Sequence, residues 1–161
     1  LTKINNNTLS SAGIATGNVL QVVSTTKTSK FSVVSTSFTD ITGLSLSITP
    51  SSTSSKILIL SNFCCSFSSN SRIGYFNLVR DTTNIGQPSV SGSTTASYTY
   101  DVDQLHAVAI NFLDTPNSTS SLTYKIQTKT NGSNDVTIII GDRNSDDIDV
   151  ISTITAYEIA G

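Results

Sequence analysis

Methionine and tryptophan are absent from this chain of 161 residues, and glutamate occurs once, at Glu158. Only two cysteines, three prolines and a single histidine are present. Each scarcity excludes something. Few straight-chain helix formers argue against a helical bundle. One imidazole, His106, leaves little room for acid–base catalysis or for a zinc site, which needs about four ligands. The nine Lys and Arg residues are scattered from Lys3 to Arg143, so no basic stripe exists for a phosphate backbone, and nucleic acid is not an expected partner. No apolar run approaches the roughly 20 residues that span a bilayer, so no membrane insertion is expected. No positively charged start leads into an apolar stretch, so no signal peptide is visible.

What is abundant is hydroxyl: 28 Ser and 24 Thr, nearly a third of the chain. Charged residues make up 12%, and the net charge is −2. β-Branched Thr, Val and Ile favour pleated sheet, and strands here are dressed outside with hydroxyls rather than with charge. The apolar fraction of 37% is below the roughly 45–50% of ordinary domains. Association of identical copies, burying surface that a lone subunit leaves wet, makes up such a shortfall.

Strand signals recur about every ten residues. Residues 18–24 alternate Val19 and Gln21 against Leu20 and Val22. After Gly43, Leu44, Leu46 and Ile48 share one face until Pro50 and a serine-rich turn stop the strand. Lys56 to Phe67 is apolar on both faces at first, as in a central strand, and places Cys64 and Cys65 on opposite faces as two free, buried thiols. Arg72 to Arg80 follows. Residues 84–100 are mostly loop before a short Tyr98–Tyr100 strand. Val108, Ile110 and Phe112 point one way, and Tyr124, Ile126 and Thr128 alternate with lysines and glutamine. Asn131-Gly132 signals a hairpin into Val136, Ile138 and Ile140, and a last strand runs over 151–159. About eight to ten short antiparallel strands predict an all-β sandwich or jelly roll. Residues 1–17 read as a polar connector or attachment segment, and 18–161 as the head domain.

Thr16 to Leu60, the FNLVRDTTNIG segment (Phe76 to Gly86), the FLDTPNSTSSLTYKIQ segment (Phe112 to Gln127) and the terminal ITAYEIAG together resemble a module at the C-terminal ends of phage tail-fibre and other virion fibre proteins. The resemblance implies a jelly roll similar to the tumour-necrosis-factor and complement-C1q type, assembled as a homotrimer. It implies a virion-surface protein, assembled in the host cytoplasm, that binds a host-surface glycan or protein. Residues 1–17 would then lead to other virion proteins of the tail or capsid. It implies no catalytic residue, and the chain is not expected to be an enzyme. A capsid-decorating or head-fibre protein and a non-viral carbohydrate-binding module are the alternatives.

Tyr98, Tyr100, Asp101 and Asp103 form the candidate receptor patch, since aromatic platforms with carboxylate acceptors suit sugars. Packing of those tyrosines against a neighbouring strand or subunit is the competing reading. His106 shares a face with Val108 and Ile110 and reads as a packed histidine. The acidic loop at 142–147 reads as a solvated turn. Its alternative is a calcium ion on Asp142, Asn144 and Asp146, although an EF-hand's Gly and Glu positions are occupied here by Asp147 and Thr153. No other cofactor is expected.

Overall fold

Alternation decides which side of each strand is wet, and pairing decides which sheet it joins. The computed structural model describes residues 16–88, 92–102, 104–131, 136–143 and 148–161. Its elements among these residues are all strands: β1 (Val19–Lys27), β2 (Phe31–Val33), β3 (Thr39–Ile48), β4 (Lys56–Phe67), β5 (Arg72–Arg80), β6 (Thr83–Ile85), β7 (Thr95–Thr99), β8 (His106–Asp114), β9 (Leu122–Thr130), β10 (Ile138–Ile140) and β11 (Ser152–Ile159). Sheet A runs β1-β11-β4-β8, with β10 and β2 continuing from one end of β4. Sheet B runs β3-β9-β5, with β7 and β6 sharing the far edge of β5. All pairings are antiparallel.

Setting aside the three-residue strands, consecutive long strands are dealt between the sheets in the two-Greek-key order of a jelly roll. The predicted fold class is thus the one observed, with eleven strands rather than eight to ten.

The inner faces meet as the alternation predicts. Leu44, Leu46 and Ile48 of β3 pack across from Ile57, Ile59 and Phe63 of β4, all nearly or fully buried. Phe63 meets Phe76 of β5 edge-on, with ring centroids 5.0 Å apart. Each such side chain contributes roughly 1.5–3 kcal/mol on burial. Gly74 of β5 is required by this packing, since a Cβ there would lie 3.0 Å from the Phe67 ring and 3.3 Å from Phe76. Gly74→Ala is therefore expected to cost about 1–3 kcal/mol. An unchanged melting temperature would show that the rings yield.

Three local readings are corrected. A bulge between Val19 and Gln21 turns Gln21 inward, where it bonds Glu158, and leaves Val19 and Val22 both exposed. Asn131-Gly132 does not join a hairpin (Gly132 itself lies outside the described residues). β9 already has β3 and β5 on its two edges, so β10 crosses to sheet A and pairs with β4 and β2. The 84–100 segment also holds more strand than expected, with β6 and β7 both on β5.

Candidate functional site

The candidate receptor patch lies where β7 ends. Tyr98 pairs with Ile73 of β5 and points to the outer face of sheet B. Thr99 turns inward and is fully buried, its hydroxyl donating to the Asp101 carbonyl. The Tyr100 amide donates to Gln104 Oε1 at 3.4 Å, and the Val102 amide donates to Asn70 Oδ1 at 3.1 Å. These bonds fix the loop and lift Tyr100 outward, where it is 76% exposed against 44% for Tyr98. The two rings meet edge to face with centroids 5.1 Å apart. Asp101 is exposed beside them, and Asp103 lies outside the described residues. Two aromatic faces with a carboxylate at hand make a platform for a polar, ring-shaped ligand.

Three side chains missed in the sequence adjoin this patch. Tyr75 is two residues along β5 from Ile73, and register places it opposite Lys129 of β9. The Lys129 ammonium sits 4.7 Å from the Phe38 ring centroid and 5.5 Å from that of Tyr75. Alternation marks Tyr75 and Lys129 as outward. That they meet each other, and Phe38, depends on strand pairing between distant segments.

Of the acidic loop read as a solvated turn, or alternatively as a calcium site, Asp142 is the described member of the candidate metal set, and it is not solvated. Asp142 is 2% exposed, pairs with Lys30 Nζ at 3.1 Å, and its carbonyl accepts from Ser66 Oγ at 2.9 Å. A bridge to Asp149 closes the segment. The expectation of solvent is thereby corrected for this residue, whose carboxylate is already neutralised by a lysine. Asn144 and Asp146 lie outside the described residues. Among the described residues no group of three or more His, Cys, Asp or Glu side chains could hold a metal ion.

His106 packs edge-on against Phe67, with centroids 6.2 Å apart, opposite Cys65. Its Nε2 is buried and has no hydrogen-bond partner among the described residues. Cys64 and Cys65 are unbonded and on opposite faces, Cys64 half-buried and Cys65 buried. Burial pushes the Cys65 thiol up to about 12, which keeps it protonated and unreactive near neutral pH.

A second surface stands out by what it lacks. On the outer face of sheet A, Val22, Tyr157, Leu58 and Leu113 form one register row across four strands. Val22 is 52% and Leu113 49% exposed. The next rows carry Ser24, Thr155, Leu60 and Asn111, then Thr26, Thr153, Asn62 and Ala109. Towards the far end a depression of about 310 Å³ is lined by Cys64, Ala107, Ala109 and Ile151, among others. None of these three rows carries a charged side chain; Lys56, paired with Ile159, lies one register step beyond the first. The outer face of sheet B differs, carrying Asp40, Lys125, Gln127 and Lys129 with a Lys125–Asp40 ion pair at 2.8 Å.

The class defined by these features is an antiparallel jelly roll with a sheet face almost without charge on one side and an aromatic loop end on the other. Similar solved structures include T=1 particles derived from infectious bursal virus, at 14% identity and a TM-score of 0.49, covering 88% of this chain and 36% of that chain. Another is the Gt strain of infectious bursal disease virus, at 14% identity and a TM-score of 0.47, covering 91% and 39%. This chain thus spans well under half the length of the chains it matches. No protein-family model matches it, and no curated protein does.

Proposed function

We propose that this chain is the globular head of a virion fibre, a non-enzymatic structural protein. In this reading it assembles as a homotrimer through the outer face of sheet A and presents the Tyr98–Tyr100 end to a host-surface glycan. Residues 1–17 lead to the rest of the particle. The observation that carries the reading is the Val22–Tyr157–Leu58–Leu113 row, with its exposed apolar ends. An exposed apolar row on a sheet face otherwise dressed with hydroxyls and almost without charge suits a protein–protein contact. Four strands by about eight residues give a footprint of roughly 500 Å², of the same order as the ~800 Å² that each partner contributes to a standard interface. Three copies on one axis also raise weak sugar binding by avidity.

Light scattering on the intact chain is expected to give about three times the 17.0 kDa subunit mass. A Leu58→Lys/Leu113→Lys variant is expected to run as a folded monomer, because burying two added charges per copy costs more than the interface returns. A wild-type monomer at micromolar concentration would refute the trimer. Imaging of intact particles separates a fibre from a shell-decorating protein, and absence from any particle leaves the carbohydrate-binding module.

A further inference from the structure

Lys129 is held in place but is not neutralised by any described residue. Its ammonium lies within reach of two aromatic faces, a geometry that attracts the cation but accepts none of its three N–H bonds in the way an oxygen does. Lys125, two residues earlier on the same face, is instead paired with Asp40 at 2.8 Å. Lys129 makes no ion pair among the described residues. The aromatics around it are not core residues. Phe38 and Tyr75 are half-buried and Tyr98 and Tyr100 are exposed, so four of the chain's eleven Phe and Tyr residues line one outer surface. Tyr75 pairs with Ala96, and Tyr98 with Ile73, which makes Tyr75 and Tyr98 diagonal neighbours about 7–8 Å apart. The line from Phe38 over Lys129 and Tyr75 to Tyr98 crosses roughly 14 Å at the strand spacing. That length suits a short oligosaccharide better than one ring.

We propose that this strip binds acidic saccharides, with Phe38, Tyr75, Tyr98 and Tyr100 stacking on sugar rings and Lys129 contacting a ring carboxylate or phosphate. The inference rests on the receptor-binding reading and extends its site from the loop tip onto the sheet. It also names the chemistry of the ligand. With a net charge of −2 the chain has no general attraction for anions, so the preference comes from one fixed cation flanked by rings and not from bulk charge.

A printed array of neutral, uronic-acid and phosphorylated oligosaccharides, with each uronic acid matched by its methyl ester, tests this on the intact protein. The acidic members are expected to bind roughly 1.5- to fivefold tighter than their neutral partners, the range for one partly screened ion pair, and the gap is expected to narrow as salt rises. Lys129→Gln is expected to erase the gap while neutral binding persists. Tyr75→Ala and Tyr98→Ala are expected to weaken both kinds, with each variant's melting curve checked against wild type. Equal binding of acid and ester, or a gap untouched by Lys129→Gln, overturns the inference. If Tyr98→Ala still abolishes neutral binding in that case, the receptor patch stands without it. No binding anywhere on the array overturns the inference and the glycan-receptor reading together, while leaving the trimer untouched.

Discussion

Replacing Glu158 by alanine is expected to destabilise the protein by about 3–4 kcal/mol, as hydrogen bonds to a charged group are each worth roughly 1.5–3 kcal/mol and are not additive. For a chain of this size that corresponds to a fall in Tm on the order of 10 °C. Glu158 is 1% exposed yet fully partnered. Oε1 accepts from the Ser51 amide at 2.7 Å, Ser51 Oγ at 2.6 Å and Ser55 Oγ at 2.7 Å, and Oε2 accepts from Gln21 Nε2 at 2.6 Å. One carboxylate thereby ties the β3–β4 turn, β1 and β11 together. Alanine leaves a buried Ser55 hydroxyl and the Ser51 amide without an acceptor.

The pH dependence follows from the same contacts. Burial pushes the Glu158 carboxyl up, but the hydrogen bonds from Ser51, Gln21 and Ser55 together outweigh it and hold the group below its usual range. A carboxyl lowered in the folded state stabilises above its unfolded pKa, near ~4.3. That contribution is lost as pH falls through the folded value. Thermal melts of wild type and Glu158→Gln are expected to converge as the pH drops below about 4. A constant difference down to strong acid would show that the charge is not what Ser51 and Ser55 respond to.

The second large effect is expected at Asp114. It accepts from Arg80 Nη1 through both oxygens, at 2.9 and 2.7 Å, and from the Tyr124 hydroxyl at 2.7 Å. Asp114 is nearly buried and Tyr124 fully so, while Arg80 keeps 23% of its side chain in solvent. Burial, then the adjoining carboxylate, push ionisation of Tyr124 far up, so its hydroxyl remains a donor. Asp114→Ala strands a guanidinium and a buried hydroxyl at once. The expected loss is about 3 kcal/mol, the lower end for breaking one side of a buried pair, because Arg80 retains some water. Tyr124→Phe alone is expected to cost about 1 kcal/mol. Replacing the three together by Arg80→Met, Asp114→Leu and Tyr124→Phe is expected to recover most of the loss, since an apolar cluster of similar volume has no unpaired charge. Chemical denaturation of wild type and the three variants checks this. A triple variant as unstable as Asp114→Ala would mean that packing, and not the stranded charge, sets the cost.

Local pattern made much of the fold legible. The strict alternation in Leu44, Leu46 and Ile48, and in Tyr124, Ile126 and Thr128, placed these side chains inside, where the structure has them buried. The spans 56–67 and 72–80 coincide with β4 and β5, because turn residues bound each apolar run. The candidate patch was legible in part. Tyr98, Tyr100 and Asp101 are adjacent in the chain and remain together, whereas Phe38, Tyr75 and Lys129 come from three segments that only pairing unites. The hairpin signal at Asn131-Gly132 failed for a related reason. Turn chemistry describes what the backbone tolerates, and strand edges already occupied decide where the chain can go.

Composition and period two determined the all-β class and the inner faces of β3, β8 and β9, since both follow from neighbours along the chain. Tertiary structure decided the rest. It made an inward-pointing Glu158 tolerable by bringing Ser51, Ser55 and Gln21 to it across more than a hundred residues. It also aligned Val22, Tyr157, Leu58 and Leu113 into one bare row, because cross-strand register is a property of pairs of strands and no single strand contains it.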